Sequence, residues 1–454
     1  MVDSVGGRPE TERTMAVAPD RETGAAGVPF AMEDSLHVPR ERYFDRAFFE
    51  LERERLWPHV WQMACRVEEI PRPGDFVEYE ICDQSIILVR QADDSIRAFF
   101  NACRHRATEL AKGNGSFPGG QIVCPFHGWR WNLDGSSSFV FGPEGFAPEC
   151  LDPADLRLRE CLVDTWAACV WINMDLDAPP LLETLAPVPA LLDPLGVENM
   201  RVWWWKEVIL EANWKMAQEA FLEGYHTMQT HPQIRRGPDD EAPPQMLAYE
   251  TYPQGHSSFR SAGPRMKLTP DQYIELAQIL WEGQDAMTLE RDLRVMASVR
   301  DQPGAEDNFP VLAVGAIYEH AEQAGIPIAP YSAAMKLWGG EVFAFPNYFV
   351  LPQFANALCY RARPFGNDPE RCRFEVWSLT TYPEGGEPGP PKLKGRFAKD
   401  DAENWGLIPL QDFSNIERQQ RGLHSRSFEQ LRLATDWERA ISKMHEALDR
   451  YLAR

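Results

Sequence analysis

Two cysteine–histidine pairs, Cys103-x-His105 and Cys124-x-x-His127, stand eighteen residues apart in the stretch "CRHRATELAKGNGSFPGGQIVCPFHGW". Four donors of this kind constrain the fold strongly, because the loops carrying them must close around a metal centre. Zinc sites of two cysteines and two histidines usually pair like with like. Here each pair is mixed. That suits a [2Fe–2S] centre in which one iron takes two thiolates and the other two imidazoles, each loop giving one ligand to each iron. Gly113, Gly115, Gly119 and Gly120 fit loop tips where the backbone turns tightly. They do not form G-x-G-x-x-G, and no Lys-Ser/Thr follows, so a phosphate-binding loop is rejected.

The sequence around these pairs has strand texture. "GDFVEYEICDQSIILVRQADDSIRAFFNAC", "GGQIVCPFHGWRWNLDGSS" and "DTWAACVWINMD" alternate apolar and polar residues between turn signals, as antiparallel hairpins do. The proline-rich run at 175–200 reads as a connection. Beyond it come a strand, "RVWWWKEVILEA", and a helix, "NWKMAQEAFLEGYHTMQTHPQ", with Asn213 as N-cap and Pro232 as its stop. A second helix is predicted over "LTPDQYIELAQILWEGQDAMTLERDLRVMASV", capped by Thr269 with Pro270 in its first turn. Three consecutive strands follow from "GEVFAFPNYFVLP" to "RCRFEVWSLTTYP", and the tail "RSFEQLRLATDWERAISKMHEALDRYL" reads as amphipathic helix. The class is α+β, a small all-β unit ahead of a larger mixed one. The expected divisions are a disordered lead-in and arm at 1–42, the cluster domain at 43–175 and a second domain at 176–454.

The net charge of −22 disfavours a nucleic-acid or anionic-membrane partner, since an acidic surface repels phosphate. No apolar run of about eighteen residues predicts a membrane span, and the N-terminus has no secretory-signal pattern. Nine cysteines, odd in number and scattered, do not resemble a disulfide framework. A cytoplasmic protein with reduced thiols is the simplest expectation.

A second constellation lies in "QEAFLEGYHTMQTH". On a helix, Glu223 and His226 share a face, whereas His231 falls roughly 140° further round than His226. The two histidines can share a metal if the helix ends or bends near His231, where Pro232 disfavours helical geometry. Two histidines and a carboxylate on one face of Fe(II) leave positions open for O₂ and substrate. Taken alone, the histidines would read as polar residues of a half-buried helix.

Together, Cys103-x-His105, Cys124-x-x-His127-Gly128-Trp129 and the later "NWK…EGYHTMQTH" resemble the α subunits of Rieske non-haem iron oxygenases, which include aromatic-ring-hydroxylating dioxygenases and related monooxygenases. The resemblance runs from about residue 40 to the end, and the gap between the metal-binding pairs is slightly long for the family. It implies a Rieske [2Fe–2S] domain and a helix-grip (START-like) catalytic domain. Cys103, His105, Cys124 and His127 would hold the cluster, and His226 and His231 a mononuclear iron. Glu223 takes the bridging acidic position, thought to link that iron's histidine to a neighbouring subunit's cluster; many members have Asp there. "LIPLQDFSNIERQQRGL" offers Asp412 as third ligand, with Asp401 in "KDDAENW" as its rival. Phe221 and Met228 are the expected pocket residues, with helix packing as their plain alternative.

The implied activity is O₂-dependent hydroxylation of an aromatic or polycyclic substrate, with monooxygenation or O- or N-demethylation as the alternative. No flavin or nicotinamide motif occurs, so electrons from NAD(P)H would arrive through a separate reductase, with or without a ferredoxin. A head-to-tail homotrimer, with or without a β subunit, is implied as well. The reading from another class is a metal-binding or electron-transfer protein without oxygenase activity. "EGYHTMQTH" and Asp412 argue against it, since a carrier has no use for an open iron site.

Overall fold

The computed structural model describes residues 27–234, 247–261, 268–337, 339–386, 388–389 and 394–454. Residues 1–26, most of the expected lead-in, lie outside them.

The alternating stretch beyond residue 60 forms antiparallel strands. Gln62–Arg66, Asp75–Ile81, Gln84–Arg90, Ile96–Phe100, Glu160–Trp166 and Cys169–Asn173 join the short Asn114–Ser116 in a seven-stranded sheet. A separate three-stranded sheet of Gln121–Val123, Arg130–Asn132 and Ser137–Phe139 frames the second Cys/His pair. Ile87, Phe99, Ile122 and Trp131 form one buried cluster from both sheets. The turn of "LDGSS" needs its glycine: Gly135 has φ 80°, and a Cβ there would fall 2.5 Å from the Phe99 ring.

The second unit is an eight-stranded sheet built around the hairpin Asn356–Phe365 and Asp368–Thr380, with Arg201–Leu210 along its far side. Alternation gives this sheet two different faces. On one, Tyr360, Ala362 and Phe374 are buried, and Phe374 meets the Phe413 ring of helix Leu407–Leu423 edge-on at 5.8 Å. On the other, Arg361 clamps Glu375 with bonds of 2.8 and 2.7 Å and donates to the carbonyls of Met63 and Ala64 in the first unit. Burial works against the Glu375 charge, but the guanidiniums of Arg361, Arg363 and Arg373 outweigh it and hold its pKa at about 2. Removing one partner of such a buried pair strands a charge, at a cost of about 3–5 kcal/mol. The cluster-bearing unit is therefore fixed to the back of the second unit's sheet by a charged clamp.

Several expectations need correction. The helix predicted over 213–231 is broken into Trp214–Glu219 and Thr227–Thr230. Its cap is as expected, the Asn213 side chain accepting from the Lys215 N–H. The break falls where the Gly224 N–H donates to the Tyr249 hydroxyl instead of a helical carbonyl. The helix predicted over 269–299 is two, Pro270–Gln284 and Glu290–Ser298, because Asp285 turns left-handed between them. In the tail, Gln430–Arg432 pairs as a strand with His37–Pro39, and only Arg439–Leu452 is helix.

That pairing also corrects the arm. Val28 and Val38 are buried, the Met32 N–H donates to Asp449 at 2.8 Å, and Arg42 is ion-paired with Asp449 at 2.7 Å in the C-terminal helix. The expected boundary at residue 43 shifts too. Tyr43 donates to Glu219, Glu52 pairs with Lys215 at 2.6 Å, and Trp57 meets Trp214 edge-on at 5.0 Å. Residues up to about 57 thus pack with the second unit as well as the first, where Arg53 pairs with Asp83 at 2.8 Å. Helix Ala305–Ala324 carries no expectation from the sequence analysis. No helix among the described residues is long and apolar enough to cross a membrane.

Candidate functional site

The first pair of donors sits in a tight turn closed by Cys103 N–H to Thr108 carbonyl and Ala107 N–H to Cys103 carbonyl, both 2.9 Å. The second is built alike, with Cys124 N–H to the Trp129 carbonyl at 2.8 Å and Gly128 N–H to the Cys124 carbonyl at 3.1 Å. Both sulfurs belong to buried residues. The two imidazoles face each other with Nδ1 atoms 3.1 Å apart, and His105 stacks on Trp129 at 4.7 Å. Two nitrogens bound at about 2.1 Å and right angles to one metal ion stand about 3 Å apart. The donor set, two buried thiols and two converging Nδ1 atoms, therefore fits a [2Fe–2S] cluster with mixed ligation.

The second constellation assembles across a greater distance in sequence. His226 and His231 flank the short helix Thr227–Thr230, and Asp412 projects from helix Leu407–Leu423. Asp412 Oδ1 lies 3.0 Å from His231 Nε2 and 3.8 Å from His226 Nε2. One ligand atom from each of the three residues falls within 4.8 Å of the others. Glu223 and His226 are brought together by a turn, not by one face of a helix. Glu223 accepts from the His226 backbone N–H at 2.9 Å and contacts its Nδ1 at 2.7 Å. Gln411 Oε1 meets His231 Nδ1 at 2.8 Å. With both Nδ1 atoms engaged, both Nε2 atoms are left to bind a metal. Burial alone would lower the His226 pKa, but the Glu223 hydrogen bond and the charges of Glu223 and Asp412 raise it. Two imidazoles and a carboxylate converging from one side fit a mononuclear iron with open positions.

The rival carboxylate is elsewhere in the chemistry of the fold. Asp401 caps the short helix Ala402–Trp405, accepting from the Asn404 N–H at 3.2 Å. Replacing it tests the assignment cheaply. Asp401→Ala should cost about 0.5–1 kcal/mol in a denaturation midpoint, as a lost N-cap does. Iron content should not change; loss of one iron per chain would restore Asp401 as a ligand.

His226, His231 and Asp412 border a cavity of about 730 Å³. Phe221 lines it and also stacks on Tyr360 at 4.6 Å, so it serves wall and core together. The Met228 side chain lies outside the described residues. Two further acids line the cavity that sequence reasoning did not single out. Asp292 is satisfied, accepting from the Leu289 N–H at 2.9 Å and the Asn356 amide at 2.7 Å. Glu341, 4% exposed, is not. Its one sequence signal is a charge at the head of the apolar strand "EVFA". Gln411 carried none, since its role depends on a histidine far away in the chain.

Residues 197–454 match the family model described as ring hydroxylating alpha subunit (catalytic domain), and residues 60–142 match the Rieske [2Fe–2S] domain. The chain is 31% identical over 237 residues to the α subunit of 2-aminobenzenesulfonate 2,3-dioxygenase from Alcaligenes sp, covering 51% of this chain and 58% of that one. It is 32% identical over 205 residues to the oxygenase subunit of carnitine monooxygenase from Escherichia coli (strain K12), covering 44% and 53%. The chain thus spans about half the length of the curated relatives it matches. Among solved structures, a quaternary ammonium Rieske monooxygenase in complex with L-carnitine superposes with a TM-score of 0.64 at 19% identity, covering 94% of this chain and 97% of that one. Naphthalene 1,2-dioxygenase from Rhodococcus sp. bound to indole gives 0.61 at 18%, covering 92% and 94%. At such identity these two speak to the fold alone.

Proposed function

Because the chain belongs to the ring-hydroxylating α-subunit family, the catalytic subunits of Rieske oxygenases, we propose that it is an oxygenase component that hydroxylates a small organic substrate. The observation that carries this reading is the convergence of His226, His231 and Asp412 on the edge of the 730 Å³ cavity. In it, Cys103, His105, Cys124 and His127 hold the [2Fe–2S] cluster, and the three convergent residues hold the mononuclear iron. When bound, these centres supply the electrons and the activation of O₂.

The chain's own residues do the rest. Glu223 and Gln411 fix the tautomer and direction of the two histidines. Phe221, Tyr360 and their neighbours exclude water and hold the substrate against the open face of the metal site. The apolar lining suits an aromatic or polycyclic ring, and the size of the cavity is that of a small-molecule site. Electrons come from NAD(P)H through a separate reductase or ferredoxin. The working unit is a homotrimer in which Glu223 faces a neighbouring subunit's cluster.

The test begins with metal and spectra. The purified protein should contain about three irons per chain and give a rhombic Rieske signal on reduction with dithionite. Reduced protein mixed with ¹⁸O₂ and a panel of ring compounds should then yield labelled products by mass spectrometry. Two labelled atoms in a product mean dihydroxylation, and one means monooxygenation. Zinc without colour would overturn the whole reading.

A further inference from the structure

Among the described residues four acids line the cavity: Glu223, Asp292, Glu341 and Asp412. Three have partners in the wall itself, a histidine for Glu223 and for Asp412, and a backbone N–H and an amide for Asp292. Among the described residues the Glu341 side chain has no hydrogen bond or ion pair, although it is 4% exposed. No lysine or arginine among the described residues lines the cavity. An acid without a partner, such as Glu341, cannot pair with a carboxylate or sulfonate on a substrate. It can pair with a cation.

Glu341 sits at the head of strand Glu341–Ala344, directly opposite Phe259 in the antiparallel register, so both side chains stand on one face. Phe259 lines the same cavity, as does Tyr360, which lies close enough to feel the Glu341 charge. A carboxylate among aromatic rings is the chemistry that holds an alkylammonium group, since ring faces attract cations and the acid supplies the full opposite charge. Resting on the reading of this cavity as the oxygenase site, we propose that Glu341 is its substrate-recognising acid and selects substrates bearing an ammonium group.

A buried acid without a partner is costly, and burial followed by the Glu223 charge pushes the Glu341 pKa well above the carboxylate range in the empty cavity. An arriving cation reverses that balance, because the ionised carboxylate then has its partner. The acidic chain as a whole, at −22, also concentrates cations and repels anions around it.

Equilibrium dialysis of the iron-loaded protein against three probes of one shape tests this. They are benzyltrimethylammonium, its neutral isostere neopentylbenzene, and the anion phenylmethanesulfonate. The cation should bind about tenfold or more tightly than the anion. Glu341→Gln should lower the cation-to-neutral affinity ratio by about tenfold while leaving neopentylbenzene binding unchanged, which also reports an intact cavity. If that variant does not fold, the cation-to-neutral affinity ratio of the natural protein in about 0.5 M salt, which screens the overall charge, decides instead: a ratio near one overturns the assignment. An unchanged ratio in Glu341→Gln, or an anion bound as well as the cation, overturns the assignment. Oxygen uptake separates the two readings. Cation preference without substrate-stimulated uptake removes the oxygenase and keeps Glu341, whereas ring oxidation without cation preference does the reverse.

Discussion

Asp412→Ala should lower the iron content from about three to about two per chain and leave the reduced Rieske signal unchanged. Product formation should fall by more than about a hundredfold, because losing an outer-shell partner of a metal already costs about 10–100-fold and Asp412 is nearer than that. Among the described residues its carboxylate is the one acid within reach of both Nε2 atoms, at 3.0 and 3.8 Å. Without it the two histidines remain oriented by Glu223 and Gln411, but two ligands do not close a facial set. The helix that carries it should survive. Alanine is a good helix former, and Leu407–Leu423 stays anchored through Phe413, Ile416 and Leu423, all buried. Thermal stability therefore serves as the control. Iron analysis and EPR on one preparation decide the matter: three irons retained would remove Asp412 from the site, and a lost cluster signal would mean misfolding.

The same residues explain what the sequence could and could not reveal. The Cys/His pairs were legible because each pair is local and its loop is closed by bonds within a few residues. The caps at Asn213 and Thr269 were legible for the same reason. The helix breaks were not, since the one at Gly224 depends on Tyr249 in a distant strand. Nor was the packed arm, whose strand His37–Pro39 finds its partner near the other end of the chain. Asp412 was recognised only through its family pattern, because nothing in its own helix marks it off from Asp401. Glu341 and Gln411 escaped altogether. Their significance is a tertiary fact, an unpaired charge facing a cavity and an amide facing a histidine.

Glu223→Gln should lower steady-state turnover by about 10–100-fold while the iron stays bound. The amide is nearly isosteric and can still accept from the His226 backbone N–H, so the loop should hold its shape. What is lost is the charge at 2.7 Å from His226 Nδ1, which stabilises a proton on that nitrogen and makes the imidazole a stronger donor through Nε2. If Glu223 also couples the iron to a neighbouring subunit's cluster, reoxidation of the reduced cluster by O₂ and substrate should slow by the same factor as turnover. If it only orients His226, cluster reoxidation keeps its rate and the defect moves to iron affinity. Stopped-flow absorbance of the cluster, followed beside iron titration of the apo-protein, reads the two separately. The side chain is suited to the first role, since Glu223 stands next to an exposed ring, Tyr225, stacked on Trp437 at 5.1 Å. The Glu223 side chain itself is 10% exposed, so a docked subunit would reach the iron's histidine through this narrow edge of the carboxylate.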